Sequence, residues 1–487
     1  MKAVFVYKDA ESLGIESLSA ALKHGGHETS LVFESFLFDS PRVGVVTEKK
    51  VAERPYVIAQ RIVKEKPDLV AFSVVTDYYQ WVCSVAETLK SVSDVPVVFG
   101  GIHVTALPEQ SIANPFVDYI VVGEGEDAIV ELAGAIEEGG DAADIANVWS
   151  KSGDVVIRNE PRPAIENLDT IPFPDKSIFT DKVPVYKEIY YAMSSRGCPY
   201  SCTYCCNSLL NKMYGARRFL RKRSVENMIE ELKRAKKKQP FRMVFFVDDD
   251  FLSDKKWLRE FLELYKRDIG MIFRCGGCAR NVDDEVATML ADAGCKRIQI
   301  GVQTWNEQLK RDVCGRYDTN EQIFKACEAV KKAGIYLDLD HILGLPLHVD
   351  ADHIDAVRQY ARVRPNNINC FWLRYYPGTQ IVEFARSHGL LSDEDVEAIE
   401  DGVQENFFRG GSVKDTSFLV KIQALFTLVP FVSEKMILKL LDRQWYKLAP
   451  KSFLIFFAVP RLIQMPFHRD IWYYAKRSLF RFPPFRK

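Results

Sequence analysis

No apolar run in this 487-residue chain approaches the ~20 residues that cross a bilayer. The longest candidate, Ser452 to Pro460, is stopped by Arg461. The opening MKAVFVYKDA has neither the apolar core nor the small-residue cleavage site of a secretory signal. Net charge is nearly nil, 65 basic against 66 acidic residues, so the chain as a whole offers no general attraction to nucleic acid. An odd count of 11 cysteines without a signal argues against a disulfide framework, and a reducing cytoplasm is the expected compartment. With 47% hydrophobic and 27% charged residues, extended disorder and collagen-like repeats are excluded. No internal repeat of 20–50 residues is present beyond alternating strands and helices.

The charge that is present is unevenly placed. From Phe418 to Lys487 there are 13 Lys and Arg against 3 Asp and Glu, a surplus of ten that leaves −11 for the rest. In this basic tail, proline-broken apolar stretches alternate with Trp445, Tyr446, Trp472, Tyr473 and Tyr474. Two readings fit: short amphipathic helices lying on the inner membrane face, or a helical cap over the mouth of the preceding domain.

Ahead of the tail the pattern is α/β. Short apolar runs at Ala3–Tyr7, Thr29–Phe33, Leu69–Ser73, Val95–Phe99 and Tyr119–Val122 alternate with helical periods. Such alternation predicts a doubly wound, Rossmann-like parallel sheet over residues 1–145, with ligands at the carboxyl ends of its strands. Those ends carry Ser73-Val74-Val75-Thr76, Gly100-Gly101-Ile102-His103 and Gly123-Glu124-Gly125-Glu126, where plain turn chemistry is the alternative reading of any one loop. Four prolines, at 161, 163, 172 and 174, mark residues 146–187 as a linker. A second series follows over 188–390, with strands at Ile189–Ser194, Met243–Val247, Met271–Arg274, Arg297–Ile300, Leu337–Ile342 and Asn369–Leu373. Six βα units predict a partial (β/α)6 barrel with its active face at the carboxyl ends. Residues 391–487 form the mainly helical, basic and aromatic C-terminal region.

After the first barrel strand stand Cys198, Cys202 and Cys205, spaced C-x3-C-x2-C. Three thiolates from one loop can hold an iron–sulfur cluster and leave one iron open. A zinc site would need a fourth ligand, for which Cys275 and Cys278 are the available pair. Cys206 adjoins the third cysteine and is expected to point elsewhere.

This stretch resembles the radical S-adenosylmethionine (SAM) enzymes, and its surroundings resemble their cobalamin-binding subclass. The resemblance runs over about residues 10–390 and includes Leu13-Gly14-Ile15-Glu16, GGIHVTALPEQ from Gly100, VDYIVVGEGE from Val117, FFVDDDF from Phe245, ADAGCKRIQIGVQT ending at Thr304, and HILGLP from His341. It implies that Cys198, Cys202 and Cys205 hold a 4Fe–4S cluster whose open iron chelates SAM. Tyr204 would lie near the adenine, and Asp248 and Asp250 would face the SAM ammonium, unless they are solvated loop-end carboxylates. Gln303 would bond a ribose, and Gly344 and Pro346 would shape a loop against adenine. Arg316 would pair with the SAM carboxylate, or else be a surface residue. Cobalamin would lie against Leu13, Gly14, Ser73, Val75, Thr76, Gly100, Gly101, His103, Gly123, Glu124, Gly125 and Glu126.

The chemistry so implied is reductive SAM cleavage to a 5′-deoxyadenosyl radical and hydrogen abstraction from an unactivated carbon. Methyl transfer from methylcobalamin would follow, with electrons from a flavodoxin- or ferredoxin-type donor. The D-x-H-x-x-G motif that carries a cobalt-ligating histidine is absent, and His103 reads as a loop contact. The expected substrate is a small molecule, with the tail favouring a lipid-like or amphiphilic one. Cyclisation or rearrangement without methyl transfer is the alternative. A tRNA methylthiotransferase would need further cluster cysteines, but residues 1–197 hold only Cys83. A non-catalytic cobalamin sensor would have no use for the cysteine triad.

Overall fold

The computed structural model describes residues 1–35, 55–140, 142–215, 219–403 and 417–448. Apolar β-branched runs bounded by turn residues form the strands of a first sheet: β1 (Lys2–Asp9), β2 (Glu28–Ser35), β3 (Leu69–Ser73), β4 (Val97–Gly100), β5 (Tyr119–Val121), β6 (Val148–Ser152) and β7 (Val155–Arg158). Their order is β2-β1-β3-β4-β5-β6-β7, with β1 to β5 all parallel. The order turns back on itself between β1 and β3, so the loops after these strands flank the point where doubly wound sheets bind ligands. Helices cover both faces, and two apolar cores result, one around Phe5, Leu31 and Leu132 and the other around Val4, Phe72 and Phe99.

The antiparallel hairpin β6–β7 lies in the stretch expected to be linker. Gly153 at φ +62 and Asp154 form its two-residue turn, between the paired Ser152 and Val155. Gly-Asp between two short apolar runs is a hairpin signal, which the prolines downstream obscured.

The second sheet holds β8 (Ile189–Ala192), β11 (Met243–Phe246), β12 (Ile272–Gly277), β13 (Cys295–Gln303), β14 (Tyr336–Leu343) and β15 (Asn367–Trp372). A two-stranded ribbon of β9 (Ser195–Arg196) and β10 (Arg221–Lys222) stands at its carboxyl end. All six sheet strands run parallel in the order β15-β14-β13-β12-β11-β8, and the two edge strands do not pair, so the barrel is partial. Side chains alternate strictly: Val244, Phe246, Ile298, Ile300, Leu337 and Leu339 pack outward against the helices in one large core, and their neighbours face the lumen. Ser224, Asp254, Asp283 and Thr319 cap helices Val225–Lys238, Lys255–Leu264, Asp284–Asp292 and Asn320–Lys332.

Helices Ser417–Leu428 and Glu434–Asp442 pack against the side of the barrel rather than over its mouth. Leu419, Ile422, Leu425, Phe426, Ile437 and Leu441 are buried in the barrel's outer core, against β15 and helix Asp350–Val363. The apolar surface that suggested lipid contact over these residues covers the sheet's edge strand instead. The remaining basic and aromatic tail, with Ser452–Pro460, Trp472, Tyr473 and Tyr474, lies outside the described residues. No helix among the described residues is long and apolar enough to cross a membrane.

Candidate functional site

The cysteine loop leaves β8 at the carboxyl end of the barrel and is held from several sides. Asp248 fixes its root, accepting from the Ser194 amide at 3.0 Å, the Ser194 hydroxyl at 2.6 Å and the Ser195 hydroxyl at 2.5 Å. Gly197 then turns at φ +84, where a Cβ would stand 2.6 Å from the Phe219 carbonyl oxygen, so the turn admits only glycine. The Asn211 side-chain amide donates to the carbonyls of Cys198 and Tyr200 at 3.3 and 3.1 Å. Thr203 donates through its amide to the Cys314 carbonyl, 3.1 Å, and its own carbonyl accepts from the Ile381 amide, 3.0 Å.

Cys198, Cys202 and Cys205 are all free and partly exposed. Burial pushes the Cys198 thiol up to about 12 and raises Cys202, whereas a hydrogen bond from Cys206 draws Cys205 down to about 7. Cys206 thus lies beside Cys205 rather than pointing away. No group of three or more His, Cys, Asp or Glu side chains among the described residues can hold a single metal ion. Cys275 is buried and paired with the Cys295 thiol, which removes it from a zinc set.

Behind the loop, Arg316 is buried and central, not on the surface. Its Nε donates to Asp318 at 3.0 Å, Nη2 to the Gly301 carbonyl at 2.8 Å and Nη1 to the Tyr204 hydroxyl at 3.4 Å. Its charge also lowers the neighbouring Cys202 thiol against the rise from burial. Gln303 sits at φ +65 where the β13–β14 register shifts, and its amide nitrogen packs against Gly301, whose Cβ would stand 2.6 Å from it. A non-glycine residue in this conformation at a strand end marks stored strain of the kind found at ligand clamps. Gly344, at φ +79, turns the chain after β14.

The acids after β11 divide differently from expectation. Asp248 is taken up by the two serines, and Asp250 by the amides of Leu252 and Cys278 and the Asn281 side chain. Both are buried and hydrogen-bonded within the protein, so they are not solvated loop-end carboxylates. Asp249 instead is exposed at the cleft, close enough to raise Cys198 and Cys205 electrostatically, and desolvation by the cleft walls raises its own carboxyl. Period-two alternation would have found it: Val244, Phe246 and Asp248 share the outward phase, Phe245, Val247 and Asp249 the inward one.

In the first sheet the expected loops gather on one edge. Gly101, at φ +102, lets the backbone come so near Val74 that a Cβ would stand 2.8 Å from its carbonyl oxygen. Val74 donates to the Gly100 carbonyl at 2.7 Å and accepts from the His103 amide at 3.3 Å, so Ser73–Thr76 and Gly100–His103 form one tied pair. His103 is buried, lies 4.1 Å from the Tyr79 ring and meets the Thr76 hydroxyl at 3.1 Å. Burial holds it neutral, down to about 4, and it serves as a loop contact. Leu13 and Ser17, on helix Leu13–His24, line a cleft with Pro172, Met193, Ser195 and Arg196.

The GEGE segment faces the barrel. Glu124 accepts from Arg221 Nη1 and Nη2 at 2.8 and 2.9 Å and from Arg196 Nη1 at 3.1 Å. Glu126 accepts from Arg196 Nη2 at 2.5 Å and from the Ser17 hydroxyl at 2.8 Å. Burial pushes both carboxyls up, but the arginines more than offset it and both end below the usual range. These two carboxylates, expected at cobalamin, are engaged in joining the two α/β units. Gly123 accommodates the Tyr214 hydroxyl, which would lie 2.0 Å from its Cβ and which accepts from the Glu124 amide at 3.0 Å.

The B12 binding domain model matches residues 3–133, and the radical SAM superfamily model matches residues 193–359. The chain is a cobalamin-binding radical SAM enzyme. An uncharacterized methyltransferase of Pyrococcus horikoshii is 29% identical over 344 residues, 69% of this chain and 72% of that one. The anaerobic magnesium-protoporphyrin IX monomethyl ester cyclase of Rubrivivax gelatinosus is 26% identical over 77% of this chain and 68% of its own. Among solved structures, the radical SAM methyltransferase TsrM of Kitasatospora setae, with tryptophan and a SAM analogue bound, superposes with a TM-score of 0.63 at 18% identity, covering 79% of this chain and 76% of that one.

The cofactors of this cobalamin-binding radical SAM enzyme are a 4Fe–4S cluster, SAM and cobalamin. Arg196 and Arg221, which the sequence reading passed over, stand two residues before Cys198 and on β10. No local pattern marks them, because their partners lie 70 to 97 residues away.

Proposed function

We propose that this enzyme transfers a methyl group to an unactivated carbon of a small molecule held at the carboxyl end of the barrel, beneath the first domain. When bound, the cofactors supply reductive cleavage of SAM, hydrogen abstraction by the resulting radical, and a methyl donor. The observation that carries this reading is the ion-pair set Arg196–Glu126, Arg196–Glu124 and Arg221–Glu124, which ties the cysteine loop to the ligand-binding edge of the first sheet. Such a tie gives the two cofactor sites one shared space, as methyl transfer between them requires.

The protein's own residues bind and orient. Cys198, Cys202 and Cys205 would hold the cluster, Asp249 the SAM ammonium, and Arg316, already bonded to Tyr204 and Gly301, the carboxylate end or the loop against it. The tied loops at Thr76 and Gly101 would cradle cobalamin. A small flavodoxin- or ferredoxin-type protein would deliver the electron. A methyl-transfer outcome also has the support of the methyltransferase names among the relatives, whereas the cyclase relative favours ring closure as the second reading.

The test is anaerobic reconstitution of the full chain with iron, sulfide and hydroxocobalamin, followed by reaction with SAM under reduction. About four irons and one cobalt per chain, with both 5′-deoxyadenosine and S-adenosylhomocysteine formed, are expected. 5′-Deoxyadenosine without S-adenosylhomocysteine would favour ring closure.

A further inference from the structure

One lumen-facing residue from each of the six barrel strands belongs to a row whose neighbours touch from β8 to β15, stepping up by two residues between β12 and β13 and again between β13 and β14. Tyr191 on β8 and Phe245 on β11 have ring centroids 5.4 Å apart. The Arg274 guanidinium on β12 lies 3.9 Å from the Phe245 centroid, and its Nη2 reaches the Gln299 side-chain oxygen on β13 at 3.4 Å. Gln299 donates to Asp340 on β14 at 2.8 Å, and Asn369 on β15 donates to the other Asp340 oxygen at 2.9 Å. All six side chains are half-buried, while residues on either side of Tyr191, Phe245, Arg274, Gln299 and Asp340 are buried or end the strand's helix-facing row. Below them, Arg297, Asp338 and Asn367 close the floor.

Barrel lumens are ordinarily filled by layers of branched apolar side chains. This layer is split instead, aromatic on one side and polar on the other, and its side chains keep only partial exposure. The charges balance, Arg274 with Asp340 and Arg297 with Asp338, so the layer offers no net charge to recruit an ionic group. Gln299 and Asn369 each spend an amide N–H on Asp340, and a carboxylate accepts more than two hydrogen bonds. The unused capacity is therefore for a donor, next to a wall that suits a flat ring face.

We propose that this layer is the substrate-selecting site, taking a flat, neutral, conjugated ring system with an N–H at its edge, the ring against Tyr191 and Phe245 and the N–H donated to Asp340. This rests on reading the barrel as the substrate chamber, and it replaces a lipid-like substrate with a planar heterocyclic one.

The test measures binding to the anaerobic, full-chain holoenzyme, without turnover, by equilibrium dialysis with indole and with benzothiophene. The two probes share size and shape, and only indole carries an N–H. Indole should bind about tenfold more tightly, the share expected of one hydrogen bond to a charged acceptor. In Asp340→Leu the ratio should fall to about one, with iron, cobalt and SAM binding retained. If that variant does not load its cofactors, Asn369→Ala, which removes only one amide holding Asp340, should narrow the ratio. Equal binding of both probes by the wild type, no binding of either, or a ratio unchanged in the variants would overturn the proposal. Such a failure would leave the methyl-transfer reading standing, because that is read from S-adenosylhomocysteine.

Discussion

Arg196 Nη2 lies 2.5 Å from Glu126 Oε1, joining the residue two before Cys198 to the start of helix Glu126–Glu137 in the other α/β unit. Both side chains are largely buried, 18% and 9% exposed, so neither has water to replace its partner. The pair ties the two α/β units together at the carboxyl ends of their strands.

Arg196→Ala leaves Glu126 buried without its charge partner, which should cost about 3 kcal/mol of stability, at the lower end for a broken buried pair. More tellingly, the variant should still form 5′-deoxyadenosine from SAM while S-adenosylhomocysteine formation falls at least tenfold. Coupled decline of both products would show that the arginine serves only the cluster loop.

Two glycines should separate the cofactors. Gly197→Ala drives a Cβ to 2.6 Å from the Phe219 carbonyl, and iron content should fall while cobalamin still binds. Gly101→Ala drives a Cβ to 2.8 Å from the Val74 carbonyl, and the opposite loss is expected. Metal analysis of the two reconstituted variants checks both.

The adjacent acids should behave as different kinds of residue. Asp248→Ala strips the buried Ser194 and Ser195 groups of their acceptor, at about 1–3 kcal/mol for each group left unsatisfied, and should lower thermal stability and iron loading together. Asp249→Ala should keep its iron and its melting temperature but bind SAM about tenfold more weakly, as for the loss of one charge-assisted contact. Calorimetric SAM titration distinguishes them.

Stability should also fall in mild acid. His341, His348 and His353 meet on the barrel's outer face, ring centroids 3.8 to 6.2 Å apart, beneath Phe418 and Phe426. Burial holds His348 neutral down to about 4 and His353 down to about 3, the latter also through its neighbour His348 and against Asp352, and it depresses His341 strongly. An unfolded histidine takes its proton near 6.5, so the unfolded chain binds more protons at any pH between that value and the folded ones. Stability is therefore complete above about 6.5 and drains as pH falls below it. Urea midpoints at pH 7.5 and 5.5 should differ, and His353→Leu should reduce the difference.

Strands β1 to β5 and the six strands of the second sheet were legible because each is a short run rich in Val, Ile, Leu and Phe, whereas β6 and β7 were hidden in a stretch that its prolines marked as linker; the cysteine spacing was legible because one loop carries all three thiols. The side chains' directions were harder. Asp248 and Asp249 differ by one step of strand phase, and the wrong phase sends a carboxylate to the serines instead of the cleft. Glu124 and Glu126 look like loop residues for a ligand until their partners Arg196 and Arg221 come into view from the second domain. The apolar helices at 417–442 have the composition of membrane-facing segments, yet their apolar faces cover β15, a pairing that depends on where an edge strand lies in space. Asp340 carried no sequence signal: its place comes from the five residues on five other strands that touch in one row with it.

The most direct test of the central claim uses SAM labelled with ¹³C at the methyl group, given under reducing, anaerobic conditions with a small-molecule extract of the source cells. Methyl transfer predicts a product heavier than its precursor by one labelled methylene unit, formed only when cobalamin is present and absent in Cys198→Ala. A product with the precursor's carbon count and two fewer hydrogens, formed without label, would contradict it and assign ring closure instead.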